Sequence, residues 1–276
     1  MKSNRKSDWI FHLYAVIFII YMLVPLVVMG GAALNDSRFP SVYPWVGFTD
    51  QWFIELWADT RMWNAFANTI LVALAVVAIS VPIGTAAAVL VNNLTGTARS
   101  VLYGFMVAPI LTPGAVIGIS TLLFWNRFNV SAGLHLSVLG QVSYISAFVM
   151  LLVLARLQSF DRGLEEAALD LGANHTTVMR RILLPHLYPA IGAGAAIAFF
   201  QSIENFNTTL FTRGPYDTLT VYVFSKVRSG ITPTINALAL ILIMVTLVLA
   251  IAYEIYRRSV ERRAWRAEEA AAVAEE

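Results

Sequence analysis

The sequence has no cysteine, which excludes disulfides and thiolate chemistry but fixes no compartment. It is poor in charge: Asp, Glu, Lys and Arg make up 13% of the 276 residues, about half the share of a soluble domain. It has no G-x-x-x-x-G-K-S/T run, so the chain is not expected to bind nucleotide itself. His12, His135, His175 and His186 are scattered, which argues against a metal site. No histidine pair, spaced acid or nucleophile elbow falls in the apolar runs, so an intramembrane enzyme finds no support. The basic residues are dispersed among apolar runs and form no nucleic-acid surface.

What is present is hydrophobic. Apolar residues make 58% of the chain and the mean hydropathy is +0.68, too high for a soluble core of this length. An all-α integral membrane protein follows. Runs long enough to span a bilayer, which takes about 20 residues, lie at roughly 10–34, 64–91, 101–125, 138–157, 187–211 and 235–256. The first run follows a basic head (Lys2, Arg5, Lys6) and exceeds the apolar core of a signal peptide, about 7–15 residues. It is expected to be a retained first helix, with a cleaved leader as the other reading. Six spans put both termini on one side. With the termini inside, Arg38, Arg61, Arg127, Arg213, Lys226 and Arg228 fall outside, and the other 13 of the 19 basic residues fall inside. The positive-inside rule therefore favours cytoplasmic termini.

Between the runs, Asn35 to Trp63 is rich in aromatics. Trp45, Trp52, Trp57 and Trp63 suit a short amphipathic piece at the interface. The third run holds Pro109, Pro113 and Gly114 in A-P-I-L-T-P-G, where each proline removes a helix hydrogen bond and bends the chain; the kink either shapes a pathway or is an ordinary feature of a membrane helix. Gln141, Ser143, Tyr144 and Ser146 interrupt the fourth run, as groups facing a neighbouring helix or a wet cavity would. The fifth run ends in S-I-E-N-F-N-T-T, which sets Glu204 deep in the outer half of the bilayer, where a carboxylate is costly. It either faces a pathway and attracts a cation or makes a structural bond to a partner helix. The tail, 257–276, should continue the last helix into water and fray over its last ten residues.

The polar stretch Asp161 to Pro185, D-R-G-L-E-E-A-A-L-D-L-G-A-N-H-T-T-V-M-R-R-I-L-L-P, lies on the inner side by the same charge bias. Glu165 to Leu171 is strongly helix-forming. Gly172 fits a helix stop needing positive φ, and Asn174 can cap a second short helix running through Leu184 and halting before Pro185. Ala167 and Ala168 keep one side low enough for a partner to approach. So ordered a segment exceeds the needs of a connector.

Glu166-Ala167-Ala168, three residues, Gly172, nine residues and Ile182-Leu183-Leu184-Pro185 resemble the EAA loop of binding-protein-dependent ABC importer permeases. Asn68-Thr69, the proline-rich third run and Ala155-Arg156-Leu157 are similar to the type I importer (MetI-like) fold. Ser202 to Asn207, Phe211 to Pro215 and Arg228 to Asn236 resemble spermidine/putrescine permease subunits in particular.

The resemblance implies six transmembrane helices in one permease domain, 1–276, with cytoplasmic coupling helices in a loop at 161–185. It further implies a bacterial inner membrane location, a second permease subunit that is a different chain, two ATP-binding subunits and a periplasmic or extracellular solute-binding protein. ATP and Mg would be bound by the partner ATPase, with no cofactor in this chain. Glu165, Glu166, Ala167, Ala168, Asp170, Gly172, Ile182, Leu184 and Pro185 would couple to the ATPase. Glu204, Asn205, Asn207, Trp125 and Tyr144 would line the solute pathway. Ammonium groups need carboxylates and aromatic faces, and Glu204, Tyr216, Asp217 and Tyr222 offer them, so a polyamine-like cation is favoured. Related permeases carry opines, phosphonates, amino acid derivatives or iron. A secondary transporter would show internal repeats, which are not evident, and would leave the loop spacing unexplained.

Overall fold

The structure, a computed structural model, describes residues 5–230 and 232–274, and these are helical throughout apart from turns, loops and an isolated bridge between Asn35 and Phe48. In chain order the helices are α1 (Arg5–Leu34), α2 (Gln51–Ala58), α3 (Thr60–Asn93), α4 (Gly96–Val107), α5 (Gly114–Asn126), α6 (Leu134–Leu157), α7 (Gly163–Asp170), α8 (His175–Val178), α9 (Leu184–Ile203), α10 (Asn207–Thr212), α11 (Leu219–Ser229) and α12 (Pro233–Ala274). Among the described residues, five helices are long and apolar enough to cross a membrane, or six if the bent pair of α4 and α5 counts as one span. Lys2 of the basic head and the last two residues lie outside the described residues. The chain divides into two compact units, Met1–Asp59 with Lys226–Glu276, and Thr60–Ser225.

In the first unit, α12 packs on α1 and α2. The linker between α1 and α2 closes on Asn35, whose side chain is fully buried. Its amide nitrogen donates to the carbonyls of Ser41 (2.9 Å) and Pro44 (3.0 Å), and its Oδ1 accepts from Val46 N (2.8 Å). A buried amide with each of these groups paired fixes a loop that has no ladder of its own. Trp52 is 8% exposed and donates its indole N–H to the Asn35 carbonyl at 2.9 Å, so it braces this loop rather than lying in an interfacial belt. Trp57, 68% exposed, keeps the expected outward setting. The helix of the last span continues unbroken to Ala274, through most of the tail expected to fray.

The second unit is built on α6. Of its apolar window 61% is buried, the largest share of any candidate span. α3 and α9 pack against it and against each other, with Val72, Val76, Ile145, Val149, Val153 and Leu187 at the centre. Lipid is as apolar as these side chains, so close contact rather than the hydrophobic effect holds such helices together. Gly84 shows how close: a Cβ there would stand 2.5 Å from the Ser146 carbonyl oxygen and 2.6 Å from Val149 Cβ.

Three further expectations change. The third run is broken rather than gently kinked: a 3-10 turn over Ala108–Leu111 separates α4 from α5, and the two axes differ by 106°. Two prolines and a glycine within six residues remove successive helix bonds, so the chain turns instead of bending. The fifth run stops at Ile203 rather than 211, and α10 begins four residues later as a separate helix. The second loop helix does not halt before Pro185. Met179–Leu183 forms a π turn, with Leu184 N–H bonded to Met179 O, and the helix continues into α9. Pro185 follows at the shift of hydrogen-bond register, where its missing N–H is tolerated at the first turn of α9.

Candidate functional site

Two regions of the second unit carry the expected functional residues. The first is the polar loop. Asp161 Oδ1 accepts from Gly163 N at 2.9 Å and starts α7. The helix closes on Gly172, whose φ is +86°. Gly172 N donates to Leu169 O (2.9 Å) and Ala173 N to Ala168 O (3.0 Å), the paired bonds of a Schellman stop. Asn174 Oδ1 then accepts from Thr177 N (2.8 Å) and Thr177 Oγ1 (2.7 Å), capping α8. α7 thus begins and ends, and α8 begins, on bonds made by their own neighbours.

The stem of the loop is tied to the bundle. Arg156 Nε donates to His186 O at 3.2 Å, the Phe160 and His186 rings lie 5.2 Å apart, and Arg162 Nη2 reaches Asn92 O at 3.4 Å. Glu166, Ala167, Asp170 and Gly172 are exposed, while Glu165 and Ala168 are half-buried. Ile182 and Leu184, also half-buried, stand apart from this cluster on the helical run into α9, and Pro185 is exposed there. Leu171, 89% exposed, and Leu164, 54% exposed, were missed. Their signal was available: two leucines bracket the charged face of a short helix.

The second region is a cavity of about 430 Å³, lined by the Ala108–Leu111 turn, the start of α5, Tyr144 and Phe148 of α6, and the α9–α10 break with Gln201, Glu204, Asn205 and Asn207. The break exists because α10 is wedged against α5 and α6. Thr208 donates to Gly114 O at 3.1 Å. A Cβ on Gly118 would meet Thr208 O at 2.8 Å, and one on Gly140 would meet Thr208 Cγ2 at 2.7 Å. Glycine at both positions lets the short helix enter.

A polar ladder joins α6, α9 and α10 behind the cavity. Ser202 Oγ donates to Gln141 Oε1 (2.6 Å), and Gln141 Nε2 donates to Thr209 Oγ1 (2.9 Å). Asn205 Oδ1 accepts from Thr209 N (3.2 Å) and Thr209 Oγ1 (3.1 Å), and Asn205 Nδ2 donates to the Tyr144 hydroxyl oxygen at 2.5 Å. Gln141 and Thr209 are fully buried and Ser202 nearly so. Such groups inside a membrane bundle are paired because the apolar surroundings offer no water.

Glu204 ends α9 and is exposed on the cavity wall, and its carboxylate has no hydrogen bond or ion pair among the described residues. The expected pathway set therefore converges in part: Glu204, Asn205, Asn207 and Tyr144 meet at this cavity, and Trp125 does not. Its ring packs with Phe124 and Phe128 at the other end of α5. Asp217 is also committed elsewhere, to Arg61 (2.6 Å) and Arg213 (2.5 Å), and Tyr222 is 1% exposed, so neither is open to a cation. Gln141, Thr208 and Thr209 were not expected site residues. Polar side chains within apolar runs were their visible signal. Among the described residues no cluster of three or more His, Asp or Glu gathers for a metal ion.

The chain is similar to known transport proteins over most of its length. It is 29% identical over 239 residues to the spermidine/putrescine transport system permease protein PotC of Escherichia coli K12, covering 86% of this chain and 90% of that protein. It is 32% identical over 252 residues to the putrescine transport system permease protein PotI of the same strain, covering 88% and 89%. A solved bacterial ABC transporter involved in alginate import has a chain of the same fold, with a TM-score of 0.73 at 16% identity over 92% of this chain and 98% of that one. A family profile, binding-protein-dependent transport system inner membrane component, matches residues 80–266. The chain, with its bundle of apolar helices, belongs to that family of multi-pass membrane transport subunits.

Proposed function

We propose that the chain is one permease subunit of a binding-protein-dependent ABC importer and forms half of the pathway for a polyamine-like cation. The observation that carries the cation is Glu204, a carboxylate at a helix break on the cavity wall with no hydrogen bond or ion pair among the described residues. A carboxylate in so apolar a chain draws positive charge. The names of the PotC and PotI relatives support the same solute class. Residues 1–276 act as one permease domain. The loop at 161–185 docks on a cytoplasmic ATP-binding subunit, and the tail, 257–276, lies on the same side, in keeping with the basic residues concentrated there. The partners are a second, different permease chain, two ATP-binding subunits and an external solute-binding protein, in a bacterial inner membrane. ATP and Mg stay with the ATP-binding subunits, so this chain performs no hydrolysis.

Purification of the tagged chain with the products of neighbouring genes tests the reading. An ATP-binding subunit should co-purify, and ATP hydrolysis should rise when putrescine-loaded binding protein is added. A chain that transports putrescine without any ATP-binding subunit would refute it.

A further inference from the structure

Beyond the cavity-lining residues, we propose that Gln141, which does not touch the cavity, is a positioning residue that acts through Thr209 to hold Asn205, and with it the Tyr144 hydroxyl, in the cavity wall. The inference rests on reading this cavity as the solute site. Thr209 N can only donate, so the Asn205 atom it meets must be the carbonyl oxygen, and the atom 2.5 Å from Tyr144 must be the amide nitrogen. That nitrogen also can only donate, so the Tyr144 oxygen accepts from it.

Thr209 has one hydroxyl proton. Gln141 Nε2 donates to its oxygen, which leaves that proton for Asn205 Oδ1. The bonds therefore run one way, from Ser202 through Gln141, Thr209 and Asn205 to Tyr144. No described residue takes the Tyr144 proton, so it is offered to the cavity that Glu204 also lines. Gln141 holds this order from a fully buried site, where any unpaired group is costly. Without its donor, the Thr209 proton is free to turn away and Asn205 keeps a single anchor, the Thr209 backbone N–H. The wall then loses its fixed arrangement of one hydroxyl donor beside one carboxylate.

The test places 3-fluorotyrosine at position 144 alone and reads its fluorine resonance in the assembled complex. Gln141→Leu and Gln141→Met, neither of which can donate, should both move the resonance. Thr209→Val should move it too, whereas Thr209→Ser, which keeps the hydroxyl, should leave it at the wild-type position. The KM for putrescine should rise about five-fold in Gln141→Leu, the size of one lost hydrogen bond, and stay at the wild-type value in Thr209→Ser. An unmoved resonance in both Gln141 variants overturns the proposal, as does movement in Thr209→Val alone, since Asn205 would then be held without Gln141. If the wild-type complex takes up no putrescine, the solute reading fails, and the fluorine resonance still decides the role of Gln141.

Discussion

The polar loop and the cavity sit in the same compact unit and are built in opposite ways. The loop is made by neighbours: its defining bonds join residues two to five apart, from Asp161 to Gly163, Ala168 to Ala173 and Asn174 to Thr177. The cavity is made across the chain: Gln141 meets Ser202 and Thr209, Tyr144 meets Asn205, and Gly114 meets Thr208. A locally closed element can be carried as a rigid body by whatever grips it. A wall assembled from three helices changes shape when those helices move. This division suits a transporter, in which one region takes up a push and the other answers it.

Substitutions can break the comparison from either side. The largest effect is expected at Gly172. Its φ of +86° penalises a β-branched residue by about 1–2 kcal/mol or more. Gly172→Val should cut capture of the ATP-binding subunit by at least about ten-fold in a pull-down, and Gly172→Asn, which tolerates this conformation, should recover much of it. Next is Glu204→Gln, which removes the one carboxylate on the cavity wall. Loss of a charge-assisted contact should raise the KM for putrescine by about ten-fold in uptake assays. Asn174→Ala removes the cap of α8, at a cost of about 1 kcal/mol, and should weaken capture by about five-fold. The smallest effect sharpens the contrast between two carboxylates. Asp217 is held by Arg61 and Arg213, so Asp217→Asn should leave the KM unchanged and lower the Tm by about 2–4 °C, as loss of about 1 kcal/mol would.

The same difference explains what the sequence could and could not reveal. Helix stops and caps are local chemistry, so Gly172 and Asn174 were legible from residue type and spacing alone, and the structure places both as expected. The apolar runs were legible because their length answers to bilayer thickness. Their interruptions were less so. Two prolines and a glycine signalled a bend but not a 106° turn, since the direction a chain takes after losing helix bonds depends on what receives it. The end of the fifth run at Ile203 was hidden because Phe206, Leu210 and Phe211 keep it apolar; the wedge of α10 between Gly118 and Gly140 is what ends it. Nor does any single-residue pattern distinguish Asp217, neutralised by Arg213 four residues before it and by the distant Arg61, from Glu204, which has no partner among the described residues. Trp125 illustrates the same limit: an aromatic near the right run packs on its own helix instead of the cavity.

The claim that the loop takes the motor and the cavity takes the solute is tested most directly by one pull-down. The tagged wild-type chain, Gly172→Val and Glu204→Gln are each purified with the co-expressed ATP-binding subunit, and the bound subunit is quantified. The account expects full capture by wild type and Glu204→Gln and loss of capture by Gly172→Val. Equal capture by all three chains would contradict it.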